Sequence, residues 1–175
     1  IWNSFEFAMW CITGAIGSYS PPSLSLAKVG LTTKIINKQN YNITANNNNI
    51  FVNQVTLGGH VNILNNVVIG GLSAVIQFVT IGSYSMIGGM SGIDKNVLPF
   101  SLAIGNRAKL RGLNLVGIRR NNFNKEDINK INTLHESFIS ENTHLSTNDK
   151  VESIFYEYKS MLNEKLGHIQ KWYLL

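Results

Sequence analysis

Cysteine occurs once, at Cys11, which excludes an intramolecular disulfide framework and leaves no thiolate cluster for zinc. No grouping of His, Cys, Asp or Glu has metal-ligand spacing, so no metal and no organic cofactor is expected. Long apolar runs are also missing. The stretch at residues 5–16 is shorter than a membrane span of about 20 residues and contains Glu6. It lacks the basic start of a signal peptide, so no membrane span is expected and a reducing, cytoplasmic setting fits. Histidine is scarce as well: there are 4, and the first in the sequence is His60.

What remains is enough for a core. At 175 residues and 44% hydrophobic content, the chain suits one or two small globular domains. Lys and Arg exceed Asp and Glu by 15 to 10, a balance that fits a phosphate-bearing substrate or an acidic protein partner, and fits equally an ordinary basic surface. Asn-rich runs such as residues 46–49 reflect an Asn, Ile and Lys bias and are assigned no chemistry.

An internal repeat organises the middle of the chain. Leu57, Ile63, Ile69, Val75, Ile81, Ile87 and Ile93 recur at intervals of six. Two places ahead stand Val55, Val61, Val67, Ser73, Val79, Ser85 and Ser91, and Val97 extends this second series. A period of six matches neither the 3.6 of a helix nor one long alternating strand. It predicts a three-sided prism of short strands, one hexapeptide to a face and about three to a coil, in the parallel β-helix class of solenoid. The large aliphatic residue fills the interior and its smaller companion sits near the corner. Gly58, Gly70, Gly82 and Gly88 follow the aliphatic position, where a sharp turn with unusual backbone angles is expected; Leu64, Ile76 and Asp94 depart from that pattern.

Four segments are expected: an irregular or degenerate stretch at 1–40, coils over 41–100, a connecting segment over 101–123, and a helical domain over 124–175. In the first, Ile12 and Ile16-Gly17 are hints of worn repeats, interrupted by Pro21-Pro22. In the last, Asn124 is an N-cap candidate with Glu126 and Asp127 in the first turn, and Ile128, Ile131, Leu134, Phe138 and Ile139 follow at helical spacing. A second helix is expected from residues 147–149 onward, with Val151, Ile154, Phe155, Tyr158, Met161 and Leu162 on one face. These stripes read as packing surfaces, with no nucleic-acid role, and His135, His144 and His168 are expected in or between the helices.

Beyond the repeat, residues 55–123 carry more specific phrases: Thr56-Leu57-Gly58-Gly59-His60-Val61, Ile69-Gly70-Gly71-Leu72-Ser73-Ala74-Val75-Ile76-Gln77-Phe78, Ile87-Gly88-Gly89-Met90-Ser91-Gly92, Gly105-Asn106-Arg107-Ala108, and the run from Gly112 to Arg120 with Phe123. In these the chain resembles the UDP-N-acetylglucosamine O-acyltransferases of lipid A synthesis. The resemblance implies a left-handed β-helix and a homotrimer with sites between subunits. It also implies transfer of an (R)-3-hydroxyacyl chain from acyl carrier protein to the 3-hydroxyl of UDP-N-acetylglucosamine, the first step of lipid A biosynthesis. Carried over residue by residue, it makes the Gly59 N–H the oxyanion donor, His60 and Gln77 substrate contacts, Asn114 and Arg120 contacts around the UDP portion, and Gly89 the boundary of the acyl channel.

The departures are equally specific. The family's general base belongs to a His-x-x-His-Asp phrase whose catalytic histidine aligns with Tyr41, followed by Asn42 and preceded by Lys38 at the other histidine. Tyrosine, with an ordinary pKa near 10, is a poor base at neutral pH. No shift of register supplies the dyad, because no histidine precedes His60. Ile76 stands in place of a histidine, and Val116 in place of a glutamate near the nucleotide. Two alternatives stay open: a non-catalytic trimeric nucleotide-sugar-binding or scaffold protein, favoured by the missing dyad, and the related UDP-3-O-acylglucosamine N-acyltransferase, opposed by the 105–108 and 114–120 phrases.

Overall fold

The computed structural model describes residues 43–139, 145, 147–162 and 166–169. The expected N-terminal segment 1–40, with Lys38, Tyr41, Asn42 and His144, lies outside the described residues.

From residue 44 onward every hexapeptide forms a two-residue strand: β1 Thr44–Ala45, β2 Ile50–Phe51, β3 Thr56–Leu57, β4 Asn62–Ile63, β5 Val68–Ile69, β6 Ala74–Val75, β7 Thr80–Ile81, β8 Met86–Ile87 and β9 Gly92–Ile93. Strands pair in parallel three elements apart, Thr44 with Asn62, Asn62 with Thr80, Val68 with Met86 and Ala74 with Gly92. The result is three sheets, β1-β4-β7, β2-β5-β8 and β3-β6-β9, closed into a three-sided coil. Each rung is bonded to the next, as in Thr56 N–H to Ser73 O at 2.9 Å and Ala74 N–H to Ser91 O at 2.9 Å.

The second residue of each strand points inward. Ile63, Ile69, Ile81, Ile87 and Ile93 are fully buried, Val75 is nearly so, and Leu57 is half-buried. At roughly 1.5–3 kcal/mol for each fully buried aliphatic side chain, this column is the main source of cohesion. The companion position is buried too, and its serines are satisfied across coils: Ser73 Oγ donates to Gly88 O and Ser85 Oγ to Leu98 O, both at 2.9 Å.

Two expectations about the repeat are corrected. The unusual backbone angles do not fall on Gly58, Gly70, Gly82 or Gly88; the positive φ values belong to Asn48, Gln54, His60, Asn66, Leu72, Phe78, Tyr84 and Met90, one in each turn. The glycines are there for contact. A Cβ on Gly58 would lie 2.8 Å from Gln77 Cα, one on Gly70 2.7 Å from Gly89 Cα, and one on Gly82 2.7 Å from Pro99 Cα. Val97, in turn, does not extend the companion series: it bridges to Ile81 and so occupies the large aliphatic position. The coil after Ile93 is therefore shortened, with Asn96 Oδ1 accepting the buried Thr80 N–H at 2.8 Å across 16 residues, where Asn49 Oδ1 accepts Val67 N–H at 2.8 Å across 18.

Past Phe100 the chain forms strands β10 Ser101–Ile104 and β11 Lys109–Leu113. β10 extends the β2-β5-β8 sheet in parallel and β11 returns antiparallel along it, turning through Gly105 and leaving through Gly112, both at positive φ. Helix α1 spans Leu115–Arg120, α2 Lys125–Ile139 and α3 Lys150–Ser160. Asn124 caps α2 reciprocally with Asp127: Asp127 N–H donates to Asn124 Oδ1 at 2.9 Å and Asn124 N–H to Asp127 Oδ2 at 2.8 Å. α3 begins at the cap Asp149 and ends before Met161, which caps the helix and is 40% exposed.

The helices share a second core of Leu64, Leu98, Phe100, Ile118, Phe123, Ile131, Leu134, Phe138, Val151, Phe155 and Tyr158. Polar ties bind α3 to the β1-β4-β7 side of the coil: Asn46 and Asn65 amides donate to Glu157, and Thr80 Oγ1 donates to Met161 O at 2.9 Å. His135 lies buried on α2 with Nε2 2.7 Å from Pro99 O. His168 belongs to neither helix: it forms a parallel bridge with Asn96, and Leu166 and Ile169 on either side pack against the coil interior.

Two measurements check this account. Gly70→Ala puts a methyl group into the Gly89 backbone and is expected to lower unfolding free energy by about 1–3 kcal/mol in urea denaturation. Asp149 is held below the usual aspartate 3.8, chiefly by the Glu152 N–H and then by Lys130, whose Nζ lies 3.0 Å away. A depressed folded-state pKa contributes stability above the unfolded value that is lost as pH falls through the folded one. Asp149→Asn, which keeps the cap, should therefore flatten the fall of Tm between about pH 5 and pH 2; identical acid limbs would contradict the assignment.

Candidate functional site

The six-residue rhythm stacks equivalent turns on the same edge of the prism, so the site residues are sorted by edge. Along the edge between the β3-β6-β9 and β1-β4-β7 sheets lie Gly59, His60, Gln77 and Phe78. Gly59 is buried, whereas His60 and Gln77 are exposed. The Gln77 backbone lies against Gly58, Phe78 N–H donates to Gly59 O at 2.9 Å, and the Phe78 ring stacks on the imidazole of His60 at 4.9 Å and 3°. Ile76, half-exposed, adds an apolar group to this edge.

Gly89 lies on a different edge, between the β2-β5-β8 and β3-β6-β9 sheets, beside Leu72 and Met90. It is exposed, and a Cβ there would come within 3.3 Å of Gly71 O, so a side chain would fill the notch between the two turns.

Asn114 and Arg120 come together in a third place. A cleft of about 490 Å³ lies over the outer face of the β2-β5-β8-β10 sheet, floored by Val68, Met86 and Leu102 and walled by Leu113, Leu115, Val116 and Gly117. Arg120, exposed, is the one charged residue among those that line it. The groove is otherwise apolar, and its size is that of an ordinary ligand pocket. Val116, in place of an expected glutamate, adds to that character.

Asn114 is buried, and both ends of its amide are engaged within the fold. Oδ1 caps α1 by accepting Gly117 N–H at 3.0 Å, and Nδ2 donates to Tyr84 O at 2.9 Å. Sequence reasoning missed α1 altogether, although Asn114 followed three residues later by Gly117, with Arg119 and Arg120 in the last turn, is a legible short-helix signal. Tyr84 is itself stacked on Phe100 at 5.2 Å and 3°, with Phe123 edge-on to both rings. Burial first and the Glu157 carboxylate second push its hydroxyl above the usual tyrosine range. The fully buried Tyr158 hydroxyl, pushed well above that range by desolvation, has no hydrogen-bond partner among the described residues.

No group of three or more His, Cys, Asp or Glu among the described residues is arranged to hold a metal, and no described helix is long and apolar enough to cross a membrane. The residue aligned with the general base, Tyr41, falls outside the described residues. Within one chain, then, the described site residues occupy three separate places. Asn114→Ala should cost about 1–3 kcal/mol by removing the cap and orphaning Tyr84 O, read as a lower urea midpoint. Asn114→Asp should recover only part of that loss, since a carboxylate retains the cap acceptor but faces the Tyr84 carbonyl with no donor.

Comparisons with known proteins bear on the family and the fold. The family described as Udp N-acetylglucosamine O-acyltransferase, Domain 2, matches residues 96–171. An acyl-(acyl-carrier-protein)–UDP-N-acetylglucosamine O-acyltransferase of Nautilia profundicola is 42% identical over 69% of this chain and 49% of its own length. The chain thus spans about half the length of that relative. Among solved structures, the UDP-N-acetylglucosamine acyltransferase of Campylobacter jejuni superposes with a TM-score of 0.60 at 31% identity, over 75% of this chain and 54% of that one. The enzyme of Arabidopsis gives 0.60 at 28% identity over 73% and 50%. The coil is the left-handed parallel β-helix of these structures, carried on into C-terminal helices. By sequence and by fold, the chain belongs to the UDP-N-acetylglucosamine O-acyltransferase family.

Proposed function

We propose that this chain binds UDP-N-acetylglucosamine and acyl carrier protein in a cytoplasmic homotrimer. The reaction of this lineage is transfer of an (R)-3-hydroxyacyl chain from the carrier to the sugar 3-hydroxyl, the first step of lipid A synthesis. The observation that carries the reading is the cleft over the β2-β5-β8-β10 sheet, with an apolar floor and Arg120 among its lining residues. Such a groove suits a ligand with a hydrocarbon arm and an anionic head, because guanidinium pairs with phosphate oxygens while the floor removes alkyl surface from water.

In this reading Gly59 offers its N–H to the oxyanion, His60 and Gln77 contact the sugar nucleotide, Gly89 borders the acyl arm, and Asn114 shapes the wall that presents Arg120 to the UDP portion. A trimer would account for the separation of these groups. One protomer carries them on different edges of its prism, and neighbouring protomers packed side by side bring one edge of the first against the cleft of the next.

This sequence lacks the family's base at the aligned positions, where Tyr41 and Asn42 stand in place of a histidine and an aspartate. A second reading, a nucleotide-sugar-binding scaffold without catalysis, is favoured by that one observation. The test is to incubate purified chain with (R)-3-hydroxyacyl carrier protein and either UDP-N-acetylglucosamine or UDP-3-O-acylglucosamine, measuring nucleotide binding and ester or amide product. Saturable binding is expected, with ester formation rising about a hundredfold or more in Tyr41→His with Asn42→Asp, the scale of a restored general base. Binding with no ester from either protein would support the scaffold. An amide product on the acylated sugar, or no nucleotide binding at millimolar concentration, would overturn the proposal.

A further inference from the structure

Two aromatic stacks stand on the edges of this coil, built the same way and placed in opposite environments. Tyr84 and Phe100 are stacked at 5.2 Å and 3°, Phe123 closes over them, and Phe100 is fully buried in the helical core. His60 and Phe78 are stacked at 4.9 Å with the same 3° between ring planes, yet His60 is exposed and Phe78 is 39% exposed. The first pair contributes to a core. The second belongs to neither core cluster.

Phe78 is a costly residue for its position on local grounds. Its φ is 66°, in the left-handed region that bulky side chains disfavour, and much of its ring meets solvent. The backbone bond from its N–H to Gly59 O does not explain the ring, because the same bond recurs in other turns whatever the side chain, from Leu72 N–H to Asn53 O and from Met90 N–H to Gly71 O, both within 0.1 Å of 2.9 Å. Among the described residues, the ring contact that Phe78 makes is with the face of His60. Stacking of this kind contributes through surface removed from water and an offset arrangement of two ring quadrupoles, and it fixes the rotation of the smaller ring about its side-chain bonds.

We infer that Phe78 is a positioning residue for His60, holding the imidazole in one orientation at the open edge so that its ring nitrogens meet a bound sugar nucleotide without reorganisation. This rests on the reading of His60 as a substrate contact. The physical basis is preorganisation. An exposed histidine at a turn samples several rotamers, each of which must be given up on binding, whereas a ring already stacked against a neighbour on the next coil has lost that freedom in the free protein. The stack is possible only because positions 60 and 78 occupy equivalent turns of successive coils, so the same repeat that builds the prism also aligns the two rings.

The test separates the stack from the functional reading. In the free protein, the His60 ring protons should resonate upfield of an unstacked histidine in proton NMR. That shift should vanish in Phe78→Leu and persist in Phe78→Tyr. In titrations with UDP-N-acetylglucosamine, Phe78→Leu should weaken binding by about three- to tenfold, the range set by one aromatic pair, and Phe78→Tyr should restore it. The loss should be non-additive, with His60→Ala plus Phe78→Leu binding no more weakly than His60→Ala alone. Full additivity of the two losses, or wild-type affinity in Phe78→Leu, would overturn the inference, as would unshifted His60 resonances in the unaltered chain. Failure of the unaltered chain to bind the nucleotide sugar would instead sink the functional reading, and the NMR arm would still decide whether Phe78 sets the ring.

Discussion

Closure of the backbone on itself every 18 residues is the constraint on which the rest of this structure depends. An N–H on one rung reaches a carbonyl on the next only if each coil has the same length, and an isoleucine meets an isoleucine overhead only under the same condition. Hydrogen bonding and apolar burial therefore select the same register. Once it is set, every outward-facing group has its neighbours dictated: Gly58 must accommodate Gln77, Gly70 must accommodate Gly89, and His60 must stand beneath Phe78.

The one break in that register is productive. Loss of two residues after Ile93 brings Val97 over Ile81 and Asn96 over Thr80, and the buried Asn96 amide then anchors the returning tail at Leu166 and Gly167. Leu166 and Ile169 pack on the interior as the regular column runs out. The same shift leads the chain through Phe100 into the hairpin and helices, whose aromatic core fastens to Leu64 and Leu98 on the coil. The helical unit is thus held by apolar packing, reinforced where Glu157 receives the Asn46 and Asn65 amides.

What could be read in the sequence follows from which interactions are periodic. The aliphatic column and its companions repeat at six and were legible, as were α2 and α3, whose apolar residues recur at helical spacing and whose caps, Asn124 and Asp149, stand in place. The role of the glycines was misread because a Gly recurring directly after several strands suggests a strained angle, whereas the constraint is the passage of the next coil, visible only in three dimensions. Val97 was misassigned because counting by six cannot detect a two-residue loss. The His168 bridge to Asn96 was hidden for a different reason: the sequence around it carries no period. For the candidate site, the internal engagement of both ends of the Asn114 amide was not legible, because it depends on where Tyr84 O falls.

The spatial separation of the site residues gives the functional account its shape. A turn at His60, a notch at Gly89 and a cleft at Arg120 face different directions from one prism, and chemistry that needs them together requires a second copy of the chain alongside. Ile50 and Val116, exposed beside the half-buried floor of the cleft, offer apolar surface that suits contact with such a neighbour. Native mass spectrometry of the purified chain tests this most directly. A dominant species at three times the 19.5 kDa of one chain is the predicted result, and a monodisperse monomer at micromolar concentration would contradict it.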